Sequence, residues 1–402
     1  MTADSHRDPR LARRLHGIPP TIFARMSFLA TATGAVNLGQ GFPDVDGPSS
    51  VAERAAAALH SGRHNQYAPG IGIPELRHAI VRHQQRHYGL DLDPDRQVVV
   101  TTGCTEAIAA AILGLVDPGD EVVVLEPYYD SYVAMLQVAG AVRRPVTLRA
   151  PDFRLDVEQL RAAVTPCTRF VLLNTPHNPT GTVLTQAELQ AVADLAIEHD
   201  LVVITDEVYE HLTYPDGQGD AATHRHLPIA TLPGMAERTL TLSSVGKSYS
   251  FTGWKVGWAT GPADLVEAVL AAKQWLTYTS GSPLQPAVAH ALDEEGDYPL
   301  RLGADLRERR DLLCAGLSDL GLRVRVPEGT YFALADIGEL GWPDGATFCD
   351  ALPDRAGVVA IPVQGFYDDA EAGRQLVRFA FCKQPEVIEE GLRRLSAADL
   401  TA

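Results

Sequence analysis

The segment from Leu242 to Gly261 is the part of this sequence best suited to chemistry. It contains no acidic residue, and its only charges are Lys247 and Lys255, which lie among glycines, hydroxyls and aromatic side chains. A lysine in such apolar surroundings loses hydration, which favours the neutral amine that can attack a carbonyl carbon. The second lysine and the hydroxyls suit a phosphate group. The segment therefore predicts a site for an aldehyde that carries a phosphate.

Two further groups of residues follow predicted strands, at the edge where open α/β sheets bind ligands. The segment Gly103-Cys104-Thr105 follows one strand and starts a helix, so its backbone N–H groups and the helix dipole favour an anion. A plain tight turn with Thr105 as the helix N-cap explains the same residues equally well. Asp206 ends the strand 201–205 and could pair with a protonated pyridine nitrogen, although a helix-capping aspartate is an equal alternative.

The loop 174–181 follows another strand and has the sequence NTPHNPTG. Its prolines and glycine favour a rigid loop, from which Asn178 can donate a hydrogen bond to a ring oxygen. An amine, an anion site, an acid for a pyridine and a donor for a ring oxygen together match pyridoxal phosphate (PLP). The sequence therefore predicts PLP as the cofactor.

The elements that must position these residues predict an α/β fold with a mostly parallel central sheet flanked by helices. The strands are continuous apolar runs, as in sheets covered on both faces. We expect strands at 97–101, 121–125, 169–174, 201–205 and 239–243, an antiparallel addition at 256–260, and helices at 105–116 and 186–199. The tail predicts a smaller α+β domain, with a long helix at 300–321 and strands at 323–326, 331–335 and 376–381.

These patterns divide the chain into three parts. We expect residues 1–45 to be an N-terminal segment that joins the small domain, because Pro43 and Pro48 interrupt the chain before the large domain begins. The large, PLP-binding domain is expected at 46–295 and the small C-terminal domain at 296–402.

Composition excludes several classes of partner. The 402 residues carry a formal net charge of −17, which disfavours nucleic acid and anionic membranes. No apolar run approaches the length needed to span a membrane, and the polar first residues do not resemble a signal peptide. The five cysteines are scattered and lack C-x-x-C spacing, which favours a reducing cytoplasm over a disulfide framework or a zinc site.

A second group of residues with possible chemistry is the set His78, His83 and His87 on one predicted helix. Their spacing does not place three imidazoles on one helix face, and no acid completes a metal-binding set. We therefore expect a solvated helix face rather than a metal site.

Four motifs in order give the chain a specific resemblance. They are NLGQGFPD at 37–44, NTPHNPTG at 174–181, DEVY at 206–209, and the lysine segment 244–255. In these motifs the chain resembles the fold-type-I, PLP-dependent aminotransferases of class I and II, from about Phe23 to Arg378. NQYAPG at 65–70 and EPYYD at 126–130 are most similar to the kynurenine/glutamine aminotransferase and cysteine-conjugate β-lyase group. Bacterial N-succinyldiaminopimelate and methionine aminotransferases are the expected relatives.

The resemblance implies a role for each cofactor-facing residue. Lys247 matches the lysine that bonds covalently to the PLP aldehyde and serves as the catalytic base. Asp206 matches the partner of the pyridine nitrogen, while Tyr209 and Asn178 match donors to the ring hydroxyl oxygen. Tyr129 matches the aromatic ring stacked on the pyridine. The phosphate site corresponds to Gly103, Cys104, Thr105, Ser244 and Lys255.

The resemblance also implies how substrate and a second subunit contribute. Arg378 matches the arginine that holds the substrate α-carboxylate, and Gly41, Asn178 and Phe23 match further substrate contacts. Tyr67 matches a residue that reaches the phosphate of the partner subunit, which implies a homodimer with shared active sites.

One departure bears on the substrate. Kynurenine-type members carry an aromatic–histidine pair where this chain has Ser280-Gly281, so an aromatic wall from the partner subunit is missing. The implied reaction moves the α-amino group of an L-amino acid to a 2-oxo acid, and the identity of both remains open. β-Elimination and PLP-dependent oxidation use the same residues. A PLP-sensing regulator is a third alternative, disfavoured by the acidic chain and the lack of a helix-turn-helix extension.

Overall fold

The computed structural model describes residues 10–18, 20–214 and 226–402. Its strands are β1 Val36–Asn37, β2 Val98–Thr101, β3 Glu121–Glu126, β4 Val142–Thr147, β5 Thr168–Asn174, β6 Val202–Asp206, β7 Thr239–Ser244, β8 Gly257–Thr260, β9 Arg323–Arg325, β10 Phe332–Asp336, β11 Val358–Val359, β12 Ile361–Pro362 and β13 Leu376–Ala380. Its α-helices are α1 Ile22–Thr33, α2 Ser49–Ser61, α3 Pro74–Tyr88, α4 Gly103–Leu115, α5 Asp130–Ala139, α6 Val157–Ala163, α7 Gln186–Glu198, α8 Val245–Ser248, α9 Ala263–Lys273, α10 Gln285–Glu294, α11 Tyr298–Asp319, α12 Gly345–Ala356 and α13 Pro385–Ala397.

The central sheet has seven strands in the order β2-β8-β7-β6-β5-β3-β4. Strands β7, β6, β5, β3 and β4 pair in parallel, whereas β8 pairs antiparallel with both of its neighbours. The predicted α/β class with a mostly parallel sheet is therefore confirmed, and the antiparallel addition lies inside the sheet rather than at its edge.

Burial on both faces explains why these strands are continuous apolar runs. In β3 every residue from Val122 to Leu125 is almost fully buried, and β2 and β7 are buried throughout. Burying each such aliphatic side chain contributes roughly 1.5–3 kcal/mol before the entropy of ordering is subtracted. Helix α4 covers one face, against β7, β8 and α9. The result is a rigid sheet whose strand ends hold their positions.

Strand β4 and the start of helix α4 differ from the sequence prediction. Strand β4 was not predicted, because it carries Arg143, Arg144 and Pro145 in place of an apolar run; as an edge strand it tolerates a proline. Helix α4 begins at Gly103 rather than at Thr105. Thr105 is therefore not the N-cap, and its side chain is free for another contact.

The C-terminal part forms a four-stranded sheet in the order β12-β13-β10-β9, packed with α11, α12 and α13. The long helix and three strands predicted there are present with bounds shifted by one or two residues. Strand β1 pairs in parallel with β11, so the N-terminal segment adds to this part of the chain. Among the described residues, no helix is both long and apolar enough to cross a membrane.

Candidate active site

A cavity of about 310 Å³ opens at the carboxyl ends of β5, β6 and β7, where the central sheet faces the C-terminal part. It brings together every site residue that the sequence predicts except Tyr67. Those lining residues are Phe23, Gly41, Gly103, Cys104, Thr105, Tyr129, Asn178, Asp206, Tyr209, Ser244, Lys247, Lys255 and Arg378.

Lys247 lies on the short helix α8, immediately after β7. Its Nζ donates a 2.8 Å hydrogen bond to the Oη of Tyr331 and faces the rings of Tyr209 and Tyr331 at 5.7 and 5.4 Å. Burial lowers the pKa of Lys247 from 10.5 to about 8, with nearby Arg378 and Lys255 acting in the same direction. A substantial fraction of neutral, nucleophilic amine is therefore present near neutral pH, as the sequence predicts.

Asp206 is the last residue of β6 and is buried at the base of the cavity. Its carboxylate accepts hydrogen bonds from the Oη of Tyr132 at 2.7 Å and from the backbone N–H of Val208 at 3.2 Å. Burial nevertheless raises its pKa, because these neutral donors only partly replace water. A positively charged group beside Asp206 would stabilise its ionised carboxylate, so the position suits a cation in the cavity.

An anion-binding corner lies at the N-terminus of α4. Gly103 has a φ of +67°, a left-handed conformation that favours glycine, and it starts the helix there. Lys255, also left-handed at φ 55°, donates from Nζ to the Thr105 hydroxyl at 3.2 Å. The helix dipole, free N–H groups and an exposed lysine together favour an anion such as phosphate.

Close packing of β8 against the start of α4 fixes this corner. An added Cβ at Gly257 would lie only 2.6 Å from the carbonyl carbon of Gly103 and 2.8 Å from the nitrogen of Cys104. Glycine at 257 is thus required for the two backbones to approach. This contact explains why a glycine-rich segment follows the two lysines in the sequence.

Arg378 lies on β13, on the far side of the cavity from α4, and is buried. Its Nη1 donates to the Oδ1 of Asn178 at 3.0 Å, and its Nη2 donates to the carbonyl of Gly39 at 3.1 Å. Its Nε is buried without a hydrogen-bond partner in the described part of the chain. Burial lowers its pKa to about 10, so the side chain stays cationic at neutral pH.

Aromatic rings surround this arginine. Its Cζ lies 3.9 Å from the ring centroid of Phe332 and 5.0 Å from that of Phe23, and Phe23 stacks on Phe366 at 6.0 Å. Such rings exclude water and attract the guanidinium by its charge. A charged fork in apolar surroundings suits a substrate carboxylate attached to an apolar carbon chain.

The predicted ring-stacking residue Tyr129 and its neighbour Tyr128 lie in different environments. Tyr129 is half-buried and lines the cavity, and burial raises its pKa to about 12. Tyr128 is buried elsewhere, where its hydroxyl donates to Asp368. Tyr209 is buried at the cavity and packs edge-on against Tyr331, with ring centroids 5.2 Å apart. These positions leave Tyr129 as the candidate for ring stacking.

Tyr67 is 83% exposed and does not line this chain's cavity. Its ring packs edge-on against Tyr278 at 5.5 Å. Ser280 stands where kynurenine-type members carry the aromatic–histidine pair. It is buried and accepts hydrogen bonds from the side chain of Gln285. The serine therefore supports the loop before α10, and no aromatic wall replaces the missing one at this position.

Sequence reasoning missed three residues of the site. Tyr331 holds the amine of Lys247, Tyr132 holds Asp206, and Phe332 lies against Arg378. Each lies at a helix start or strand start with an ordinary aromatic pattern, so nothing local distinguishes it from a core residue. Only the tertiary fold brings Tyr331 to within hydrogen-bonding distance of a lysine 84 positions away.

The histidines expected on a solvated face need a correction. His78 is exposed, but His83 is buried and His87 contacts both His83 and His211, with ring centroids 4.6 and 4.8 Å away. The expectation was wrong for His83 because His211 comes from a distant turn after β6.

The cavity fits PLP on its own chemistry. A buried carboxylate whose hydrogen-bond donors Tyr132 and Val208 are neutral suits the protonated pyridine, and the anion-binding corner of α4 suits the phosphate. Between them lies a lysine of lowered pKa for the aldehyde, with a tyrosine ring available as a wall. These are the groups that would hold the cofactor.

Comparison with known proteins gives one family and several close relatives. The family model for aminotransferase class I and II matches residues 33–395. A probable N-succinyldiaminopimelate aminotransferase, DapC, from Mycobacterium tuberculosis is 52% identical over 394 residues, covering 95% of this chain and 97% of the relative. The methionine aminotransferase of Escherichia coli is 39% identical over 382 residues, with 95% and 97% covered.

Solved structures agree with the sequence comparison. The structure of N-succinyldiaminopimelate aminotransferase from Mycobacterium tuberculosis superposes with a TM-score of 0.92 at 52% identity, covering 96% of this chain and 99% of that one. The resemblance predicted from the four motifs, including its bacterial relatives, is confirmed.

Proposed function

The chain belongs to the class I and II aminotransferases, PLP-dependent enzymes that move an amino group from an amino acid to a 2-oxo acid, and we propose that its own amino-acid substrate is N-succinyldiaminopimelate. The observation that carries the substrate assignment is the 52% identity, over 95% of the chain, to a relative of that name. The apolar ring of Phe23 beside Arg378, together with Phe42 in the cavity lining, supplies a surface for a long methylene chain.

We propose the following division of work among the residues of the cavity. When bound, PLP supplies an aldehyde that bonds to amines and a ring that accepts electrons. Lys247 Nζ takes the proton from the substrate α-carbon and returns it during the transfer. Tyr331 accepts a hydrogen bond from this amine, which directs it into the cavity. Asp206 keeps a proton on the pyridine nitrogen by its negative charge.

Substrate is oriented from the opposite side of the cavity. The Arg378 guanidinium clamps the α-carboxylate, and its bond to Asn178 sets the plane of the fork. Asn178 and Tyr209 hold the ring oxygen, Tyr129 stacks on the ring, and Gly41 offers a backbone contact to the carboxylate. Gly103, Cys104, Thr105, Ser244 and Lys255 bind the phosphate. Each assignment is supported by the residue's place in the cavity lining.

A homodimer with shared sites is part of the proposal. Tyr67 lies outside this chain's cavity and is 83% exposed. Trp275 is 82% exposed and lies close in sequence to Tyr278, the residue on which Tyr67 packs. Large exposed aromatics of this kind mark interaction surfaces. We propose that Tyr67 completes the phosphate site of the partner subunit.

The domain bounds and the location are proposed on separate grounds. The pairing of β1 with β11 supports a small domain built from 1–45 and 296–402, with the large domain at 46–295. All five cysteines are free, four of them buried, which supports a reducing cytoplasm.

A second substrate is favoured by a specific observation. Phe23, Phe332 and Phe366 make the wall beside Arg378 aromatic, which would suit a short apolar amino acid such as methionine. The relative from Escherichia coli bears that name.

The test is the change in the cofactor's visible spectrum when the holoenzyme meets each amino acid without a 2-oxo acid. We expect N-succinyldiaminopimelate to convert the cofactor with a rate per concentration at least about tenfold above methionine, equivalent to about 1.4 kcal/mol. Conversion by methionine alone would overturn the first assignment and support the second. Release of pyruvate and ammonia from a substrate with a β-leaving group would identify elimination as an added activity.

A further inference from the structure

We propose that His83, His87 and His211 bind a divalent transition-metal ion, with Zn²⁺ as the best match, at a site separate from the PLP cavity. None of the three residues lines that cavity. The ligand nitrogens of the three imidazoles all lie within 4.8 Å of one another. The site joins α3 to the turn after β6.

The geometry of the three rings is that of converging ligands. His83 and His87 lie four residues apart on α3 and so share one helix face. Their centroids are 4.6 Å apart, and both rings face His211 at 5.0 and 4.8 Å with steep inclinations of 86° and 63°. Steeply inclined rings are also common in ordinary aromatic packing. The observation that marks these imidazoles as a possible ligand set is the closeness of their ring nitrogens, which all lie within 4.8 Å of one another.

Small rotations complete a coordination sphere. The Nε2 atoms of His83 and His211 are 2.7 Å apart, joined by a hydrogen bond. Zinc–nitrogen bonds of about 2.0–2.1 Å place the ligands of a tetrahedral ion roughly 3.3 Å apart. The pair needs to open by about half an ångström, and His87 needs to approach by a side-chain rotation. A water on the exposed side supplies the fourth ligand.

The ring of His83 is held by its hydrogen bond to His211, which a metal ion between the two Nε2 atoms would replace. Its Nδ1 is buried without a hydrogen-bond partner in the described part of the chain, so either tautomer can form without breaking a second bond. A neutral imidazole keeps one lone pair, and this is the form that binds a metal.

Charge near the cluster favours a cation. Glu210, next to His211, is buried, and its two oxygens accept hydrogen bonds from the neutral hydroxyls of Ser243 and Tyr88, both at 2.6 Å. Because both of its oxygens accept hydrogen bonds, the group is arranged as a carboxylate. A divalent ion would offset this buried negative charge.

The other charged groups around the cluster are already engaged. Glu207 pairs with His226 at 2.7 Å, and both are buried. Arg86 donates to the carbonyl of Leu292 but keeps its positive charge, which acts against a cation at the three rings and so opposes part of the effect of Glu210. Glu210 is therefore the negative group available to the cluster, and three imidazoles beside one carboxylate favour zinc, nickel, cobalt or copper over magnesium or calcium.

The site is open to metal from solution because His87 is exposed and His211 is partly exposed. A bound ion would tie together two segments that are 128 residues apart. The turn that carries His211 starts at Asp206, so the ion would also hold the backbone that leads out of the active site. Its expected effect is on stability, with transamination unchanged.

The experiment uses untagged holoenzyme that has been treated with a chelator and then dialysed. Titration with Zn²⁺ followed by calorimetry is expected to show one ion per chain, and Co²⁺ is expected to give visible absorption bands of a site with imidazole ligands. The melting temperature should rise with Zn²⁺. His87→Ala should reduce the affinity at least tenfold while leaving transaminase activity unchanged, and His211→Gln should do the same for the affinity.

His78→Ala is the matched control, because His78 is an exposed histidine on the same helix and outside the cluster. It should bind metal as the unaltered protein does, which also excludes binding to PLP or to scattered surface histidines. Equal metal binding by His87→Ala and His78→Ala would overturn the proposal, as would the lack of any Zn²⁺ or Co²⁺ binding by the unaltered protein at micromolar concentrations.

Discussion

The amine of Lys247 and the hydroxyl of Tyr331 form a 2.8 Å hydrogen bond, and Tyr331 in turn donates to the carbonyl of Gly41. Lys247 comes from the short helix α8 that follows the central sheet, Tyr331 from the position just before β10, and Gly41 from the N-terminal segment. These two hydrogen bonds link the reactive lysine to the side of the cavity where the substrate carboxylate is expected. The lysine is therefore positioned by parts of the fold that are remote in sequence.

Replacing Tyr331 by phenylalanine tests that positioning. We expect kcat to fall roughly tenfold, since a hydrogen bond to a charged or ionisable group contributes about 1.5–3 kcal/mol and the freed amine samples other directions. Tyr214→Phe is the control, because Tyr214 is similarly buried and its hydroxyl donates to the Thr330 carbonyl. Steady-state kinetics and thermal melts of both variants separate the effects. Equal loss of activity in the two would show that Tyr331 acts only through stability.

The lowered pKa of Lys247 predicts how cofactor attachment depends on pH. Only the neutral amine bonds to the PLP aldehyde, and burial lowers the pKa to about 8 from 10.5. The rate of covalent attachment to apoenzyme should therefore rise about tenfold per pH unit below 8 and level off above it. Stopped-flow absorbance across pH 6 to 10 measures this profile. A rate that still climbs steeply between pH 9 and 10 would contradict the lowered pKa.

How far the sequence could lead is clearest at the ends of the strands. Asp206, Asn178 and Lys247 were predictable, because each follows a continuous apolar run and such ends meet at one edge of a parallel sheet. Strand β4 was missed because Pro145 and two arginines hide an edge strand. The fold class therefore follows from the pattern of buried apolar residues. An element with a weak pattern, such as β4, is recognised only from the strand with which it pairs.

Contacts between distant segments could not be predicted from local pattern. The sequence around His83 has the pattern of a charged helix face, and only the fold brings His211, 128 residues later, against it. Tyr331 likewise looks like the start of an apolar strand until its hydroxyl meets Lys247. In both cases the chemistry arises from a pair, and neither sequence position carries the signal alone.

Arg378→Lys tests the carboxylate clamp. Lysine keeps the charge but loses the planar fork that also bonds to Asn178 and Gly39. We expect the KM for every α-amino acid to rise roughly tenfold to a hundredfold, the range of 1.5–3 kcal/mol for charge-assisted bonds. PLP affinity and reactivity towards amines without a carboxylate should stay near the original values. An unchanged KM across a panel of amino acids would exclude the clamp.

Gly257→Ala tests the packing that forms the anion-binding corner at the start of α4. The added methyl would lie 2.6 Å from the carbonyl carbon of Gly103, so the start of α4 must shift. We expect PLP to bind at least tenfold more weakly, measured by reconstitution of apoenzyme. Gly253→Ala is the matched control, because no atom lies within 4 Å of its added methyl. If both variants bind PLP equally well, the helix start is not what holds the phosphate.

The proposed sharing of active sites between two subunits makes a distinct prediction for mixed dimers. Tyr67→Ala and Lys247→Ala homodimers should each have little activity, the first because the exposed Tyr67 would no longer reach the partner's phosphate site. In a dimer of one chain of each kind, one site combines an intact Lys247 with an intact Tyr67 from the partner, so activity should return after subunit exchange. Light scattering and mass analysis of differently tagged chains would verify that mixed dimers had formed. If Tyr67 instead acts in the active site of its own subunit, each site of the mixed dimer lacks either Tyr67 or Lys247. Mixed dimers that stay inactive would therefore contradict the proposed sharing.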